Sequence, residues 1–212
     1  MDRKSLLKSA ATLGIGALLT IATLSGAQAQ DAKADNHVRV RGTITKMEGA
    51  TLSVKTREGT DADITLKSGW KVSTVKNAAI DGIKAGDYVG IASLPTADGG
   101  DGALEVLIFP AAMKGTGEGN RAWDLKPNSS MTNATVADAV KSVDGHMITV
   151  TYQGKEKKIK VPEGTPVVTL APATEADLKA GAPVIVNGEK ATDGTISAAA
   201  VIVGTNGVVP PM

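Results

Sequence analysis

The chain repeats itself, and the repeat constrains its fold more than any other feature. The stretch Ile44 to Phe109 reappears, at an offset of about 95 residues, as Val140 to Gly204. Glu48-Gly49 answers Asp144-Gly145, and Leu52 and Val54 answer Ile148 and Val150. Ile64 and Leu66 answer Ile159 and Val161, Ile83-Lys84-Ala85-Gly86 answers Leu178-Lys179-Ala180-Gly181, and Asp101-Gly102 answers Asp193-Gly194. The correspondence survives at turn residues and alternate apolar residues, the two classes that backbone geometry and burial constrain. One small β-domain used twice is the expectation.

Each copy reads as strands. Residues 38–44 alternate apolar with polar, as do 51–56, and Ile64 and Leu66 mark a third strand. Residues 77–85 have the spacing of a short helix that Gly86 ends. Residues 88–94 and 103–109 form a hairpin over the Gly- and Asp-rich stretch 98–102. The second copy follows the same order: strands near 136–143, 146–152 and 157–161, a helical turn near 174–179, then strands near 184–189 and 196–203. Three strands, a short helix and a closing hairpin is the order of a five-stranded OB-type barrel. The expected interior includes Val40, Ile44, Leu52, Val54, Ile64, Leu66, Val89 and Ile91.

The N-terminus has the layout of a cleaved signal peptide: Arg3, Lys4 and Lys8, then an apolar stretch from Ala10 to Leu24, then Ala27-Gln28-Ala29 as a small-x-small cleavage pattern. The apolar stretch is short for a membrane span. The predicted organisation is therefore a signal peptide (1–29), a first OB-like barrel (37–109), a connecting segment (110–132), a second barrel (133–204) and an extended tail (205–212). The expected location is the periplasm or the exterior, with no membrane span after cleavage. Removing residues 1–29 takes three of 23 basic residues and one of 22 acidic ones, leaving 20 against 21. A near-neutral chain has no electrostatic claim on nucleic acid. It also has one Phe, two Tyr and two Trp, too few for the stacking platforms that oligonucleotide-binding barrels use. Cysteine is absent, which excludes disulfides, thiolate metal sites and cysteine nucleophiles.

The pattern around Ile83-Lys84-Ala85-Gly86-Asp87-Tyr88-Val89 resembles that of an uncharacterised family of exported bacterial proteins built from OB-like β-domains. The join Phe109-Pro110, followed by Gly115-Thr116-Gly117-Glu118-Gly119 and Trp123-Asp124-Leu125, resembles a two-repeat subgroup. The resemblance implies the fold and carries no activity.

Candidate chemistry is sparse. Gly115 to Gly119 lacks the Lys-Ser/Thr of a phosphate loop, and Glu118 repels phosphate. His37 and His146 belong to no metal-binding pattern, and the chain has no Gly-x-Ser-x-Gly elbow. Asp61, Asp63, Asp98 and Asp101 lack the terminal glutamate of a calcium loop. Lys155 to Lys160 reads as a strand with a solvated lysine face. No catalytic residue, cofactor or metal ligand is therefore assigned, and the chain is not expected to be an enzyme. The candidates for a ligand or partner are Arg121, Trp123 and Asp124, with Trp70 as a further aromatic. They could form a stacking platform. Alternatively, Trp123 fills the groove between the barrels while Arg121 pairs with a nearby carboxylate, and Trp70 covers a barrel end. The function that follows is an exported binding or adaptor module for an unknown protein. The alternative is a periplasmic carrier of a small ligand or metal ion that uses the inter-repeat loop.

Overall fold

A computed structural model describes residues 36–142 and 145–210. The expected signal peptide (1–29), Asp144 and the end of the tail lie outside these residues. The described chain is all-β: β1 (His37–Glu48), β2 (Thr51–Thr56), β3 (Asp61–Asn77), β4 (Tyr88–Pro95), β5 (Asp101–Ile108), β6 (Gly119–Ala122), β7 (Ser130–Ser142), β8 (Gly145–Tyr152), β9 (Lys155–Pro162), β10 (Val167–Pro172), β11 (Pro183–Lys190) and β12 (Ile196–Gly204). The two stretches expected to be helical form single 3-10 turns, Ile80–Gly82 and Glu175–Asp177. Stretches this short cannot repay the cost of nucleating an α-helix. In the second, Thr174 and Asp177 cap one another through side chain and backbone.

Strand alternation buries the expected residues. Leu52 and Val54 point inward from β2 while Thr51 and Lys55 face solvent. The strand grouping differs from the sequence expectation, in which each stretch of consecutive strands closes on itself. Strands β1, β2 and β3 instead close with β11 and β12, through the pairings β11–β1, β1–β2, β2–β3, β3–β12 and β12–β11. This closed five-stranded barrel holds Val40, Ile44, Leu52, Val54, Ile64 and Leu66 together with Val184, Val186, Val201 and Val203. The hairpin β4–β5 joins β7, β8 and β9, and β9 returns to β5 through the pair Gly102↔Lys160. Val89 and Ile91 are buried there, with Ile148, Val150, Ile159 and Val161.

Strand β3 borders both β12 and β10. Over its 17 residues, roughly 55 Å at about 3.3 Å per residue, Ile64 to Leu66 and Lys71 to Val75 pair with β12. Asp61 to Thr65 pair with β2, while Ser73 to Asn77 pair with β10. Gly69, at φ +73°, sits between the two halves, in a backbone region that glycine enters without steric cost. The strand therefore stays on the first barrel through Val75 and offers β10 its other edge there. Strand β10 joins the two sets, lying antiparallel to β3 about the pair Val75↔Leu170 and parallel to β5. The register Val106↔Val167 between β5 and β10 has a counterpart in Val201↔Val72 between β12 and β3.

Candidate functional site

The site forms where the connecting segment crosses the first barrel. The outward face of β1 carries Arg39 and Arg41, two residues apart and so on one side of the strand, while Val40 points into the core. The segment is anchored on the other side. Gly119 to Ala122 pair with Ser130 to Asn133 of β7, and Tyr88 Oη and Asn133 Nδ2 both donate to the Thr116 carbonyl at 3.1 Å. Residues 123–129 then form a tight loop. The Trp123 amide donates to the Ser129 carbonyl at 2.8 Å. The buried Ser129 hydroxyl is shared between the carbonyls of Trp123 (2.9 Å) and Lys126 (2.7 Å). Asn128 takes φ +63° at the turn, a conformation asparagine adopts more readily than most residues.

This loop presents Trp123 and Asp124 to the arginines. Asp124 accepts from Arg39 Nη1 at 2.8 Å and from Arg41 Nη1 at 2.6 Å. Arg57 Nη2 donates to the Asp124 carbonyl at 2.8 Å. The Arg39 guanidinium lies 3.6 Å from the centre of the Trp123 ring, with Arg41 at 5.4 Å and Arg121 at 5.8 Å. Three arginines thus gather around one indole, two of them bridged by one carboxylate, and a fourth holds the Asp124 backbone carbonyl. The connecting segment contacts both strand sets, through backbone pairing with β7 and through Asp124 against Arg39, Arg41 and Arg57. Arg121 does not pair with a carboxylate among the described ion pairs. It donates to the Gly117 carbonyl at 2.8 Å, because Arg39 and Arg41 have taken Asp124. Trp70 packs against the first core from β3, away from the Trp123 cluster.

Burial sets the electrostatics. Burial alone would raise the Asp124 pKa, but the hydrogen bond from Arg41 and the charges of Arg41 and Arg39 outweigh it and hold the carboxyl at about 2. Burial lowers the Arg39 pKa, and Asp124 opposes that shift. Arg41 is only 2% exposed, and its Nε and Nη2 have no hydrogen-bond partner among the described residues. Orphaned buried donors of this kind are rare in native proteins. Nearby Glu105 on β5 is pushed up to about 7 by burial, with the Arg41 charge acting the other way. Glu105 lines a cleft of about 420 Å³ with Leu104, Leu125, Lys126, Val168 and Val209.

Arg39, Arg41, Arg57 and Glu105 escape sequence reasoning. Val38-Arg39-Val40-Arg41 looks like any half-buried strand with a solvated face. The signal for Glu105 is a lone carboxylate inside the apolar run 103–109.

The remaining polar residues have local partners. Asp61 pairs with Lys55, and Asp63 accepts from Ser53. Asp98 is held by Thr96, and His146 Nε2 lies 2.9 Å from Asp81 Oδ1. Among the described residues no group of three His, Asp or Glu side chains could hold a metal ion. Lys157 departs from the expected solvated lysine face. It is largely buried, pairs with Asp101 at 3.1 Å and reaches Ser93 and Ser130 at 3.3 Å. Serine beside lysine has the composition of a catalytic dyad, but Ser93 is 0% exposed and out of reach of a substrate.

No family model matches the chain, no curated protein matches it, and no solved structure matches it.

Proposed function

We propose that the protein is an exported, non-enzymatic binding or adaptor module built from two OB-like barrels that exchange their closing hairpins, and that the arginine–tryptophan surface is its partner face. The duplication reading draws support from the matched registers Val106↔Val167 and Val201↔Val72. It also draws support from the pairing of Val75 with Leu170, the residue 95 positions on. A duplicated unit folded about a two-fold axis produces such a self-pairing. The uncharacterised exported family remains the reading of the chain's origin, and the signal-like N-terminus carries the export reading.

The observation that carries the partner face is the Trp123 cluster. One carboxylate serves Arg39 and Arg41, while the exposed Arg121 has only a backbone carbonyl and the indole. Such a surface is complementary to an acidic protein face, where an aromatic ring and arginines are the residue types that concentrate binding energy. Capture from periplasmic extract with wild-type protein and with a Trp123→Ala, Arg121→Gln double variant tests this. The expected result is a cross-linked protein that wild type retains, that dissociates with added salt, and that the variant loses. A partner retained equally by both proteins refutes the assigned face.

A second reading, a small-ligand protein using the inter-repeat loop, is favoured by the cleft beside Leu125. Its test is saturable quenching of Trp123 by a small molecule in a Trp70→Phe background.

A further inference from the structure

We propose that the cleft between β5, β10, the 123–129 loop and the tail residues Gly207–Pro210 binds a small amphiphilic carboxylate, its head held by the Glu105 carboxyl and Lys126 and its apolar body against Leu104, Leu125, Val168 and Val209. This deepens the small-ligand reading and rests on it; it is independent of the partner face.

Size and lining argue first. The cleft's volume, about 420 Å³, falls within the range of small-molecule sites, which combine apolar walls with a few convergent polar groups. Val209, 51% exposed, is one of few large apolar side chains left uncovered among the described residues. A ligand body lying against it would remove that surface from water.

The polar end argues next. Among the described residues the Glu105 carboxyl has no hydrogen-bond or ion-pair partner; it is half-buried, with its oxygens still reached by solvent. A partly desolvated carboxyl gains from a ligand that bonds it in place of the water it has lost.

Charge decides which ligand. The charged groups around Glu105 are Arg41 from β1 and Lys126 from the loop, with Asp124 already engaged by Arg39 and Arg41. Strand β10 and the tail contribute only apolar or backbone surface to the lining, and β3 contributes the uncharged Asn77. The local field is positive once Glu105 is neutral. A cationic head is repelled by Arg41 and Lys126. A carboxylate head is attracted by both, and it accepts a hydrogen bond from the protonated Glu105.

Binding then depends on the proton. With the Glu105 pKa at about 7, roughly nine-tenths of the protein is competent at pH 6 and roughly one-tenth at pH 8, so apparent affinity falls about tenfold between them. Decanoate, below its micelle concentration, is the probe, and titration calorimetry of the full-length protein is the assay. The expected results are saturable binding at pH 6, a loss of about tenfold at pH 8, and net proton uptake seen by comparing buffers of different ionisation enthalpy. Glu105→Gln keeps a neutral donor and is expected to bind with little pH dependence. Lys126→Gln is expected to bind several-fold more weakly. Decylammonium is expected not to bind. Absence of saturable decanoate binding at pH 6, equal binding of decylammonium, or a wild-type affinity that does not change with pH overturns the proposal. Proton uptake is read on wild type, so the test stands even if Glu105→Gln does not fold. If decanoate fails but another small molecule quenches Trp123 saturably, the cleft assignment falls and the small-ligand reading stands; failure of both removes that reading.

Discussion

Glu105 makes stability depend on pH in an unusual direction. Its carboxyl titrates near 7 in the folded chain against an ordinary value of 4.5. Between these two values the folded state holds a proton that the unfolded state has released, so stability falls as pH rises through that window. A shift of that size corresponds to about 3 kcal/mol as an upper bound, and relaxation around the partly accessible carboxyl brings the expected figure to about 2 kcal/mol. Glu105→Gln removes the ionisation and keeps the shape. The variant should match wild type at pH 4.5 and exceed it by about 2 kcal/mol at pH 8, a gain of roughly 4–8 °C in thermal midpoint for a chain of this size. Urea unfolding followed by tryptophan fluorescence at a series of pH values gives the difference directly. A gain that is the same at pH 4.5 and pH 8, or absent at pH 8, refutes the assignment of Glu105 as a protonated buried carboxyl and removes the basis for proton-linked binding in the cleft.

Asp124 should behave in the opposite sense. Its pKa is depressed to about 2, so its stabilisation is present above the unfolded value near 4 and is lost as pH falls through 2. Asp124→Asn should cost about 1–2 kcal/mol at pH 7, reduced from the buried-pair figure because the side chain is 45% exposed. A cost that persists unchanged at pH 2, read from denaturant midpoints, contradicts this. Gly42 has no room for a side chain: an added Cβ would lie 2.0 Å from the Lys55 carbonyl oxygen across the β1–β2 pair. Gly42→Ala should therefore cost about 3 kcal/mol, the upper end of overpacking penalties, because backbone rather than a flexible side chain must move. A thermal midpoint within two degrees of wild type would show that the strands separate freely there.

The inward-facing residues were legible because burial on a strand has a period of two, and Leu52, Val54, Ile148 and Val150 keep that period. That β11 and β12, rather than β4 and β5, close on β1–β3 was not legible from the same pattern. Val89 and Ile91 present the same apolar face whether they pack on β1–β3 or on β7–β9, so alternation is blind to the choice. At the site, Trp123 stood out because a large aromatic in a glycine-rich segment has area to bury. Arg41 could not stand out, because its burial depends on a loop more than 80 residues away. Sequence periodicity reports which face of a strand turns inward, but not what covers the outer face.

If β3 itself drives the exchange, residues 37–109 on their own should not close as a monomer. Cut from the whole chain, these residues leave β1 without β11, β3 without β12 and β10, β4 without β7, and β5 without β9 and β10. Two copies can satisfy one another. The β4–β5 hairpin of each copy takes the place of β11–β12 on the other, and β3 pairs with β3 about Val75, where Leu170 sits in the intact protein. The tether normally supplies the partner at an effective concentration of about millimolar. The separate stretch must find it in solution, so its unfolding midpoint should rise with protein concentration. Sedimentation at micromolar concentration should show a dimer that loses cooperative unfolding on dilution. The competing outcome is a monomer in which β3 breaks at Gly69 and folds the hairpin back onto β1–β3. A monomeric stretch 37–109 that unfolds cooperatively at any concentration would show that β3 permits closure, and that the 110–129 segment, through Asp124 and its arginines, imposes the exchange.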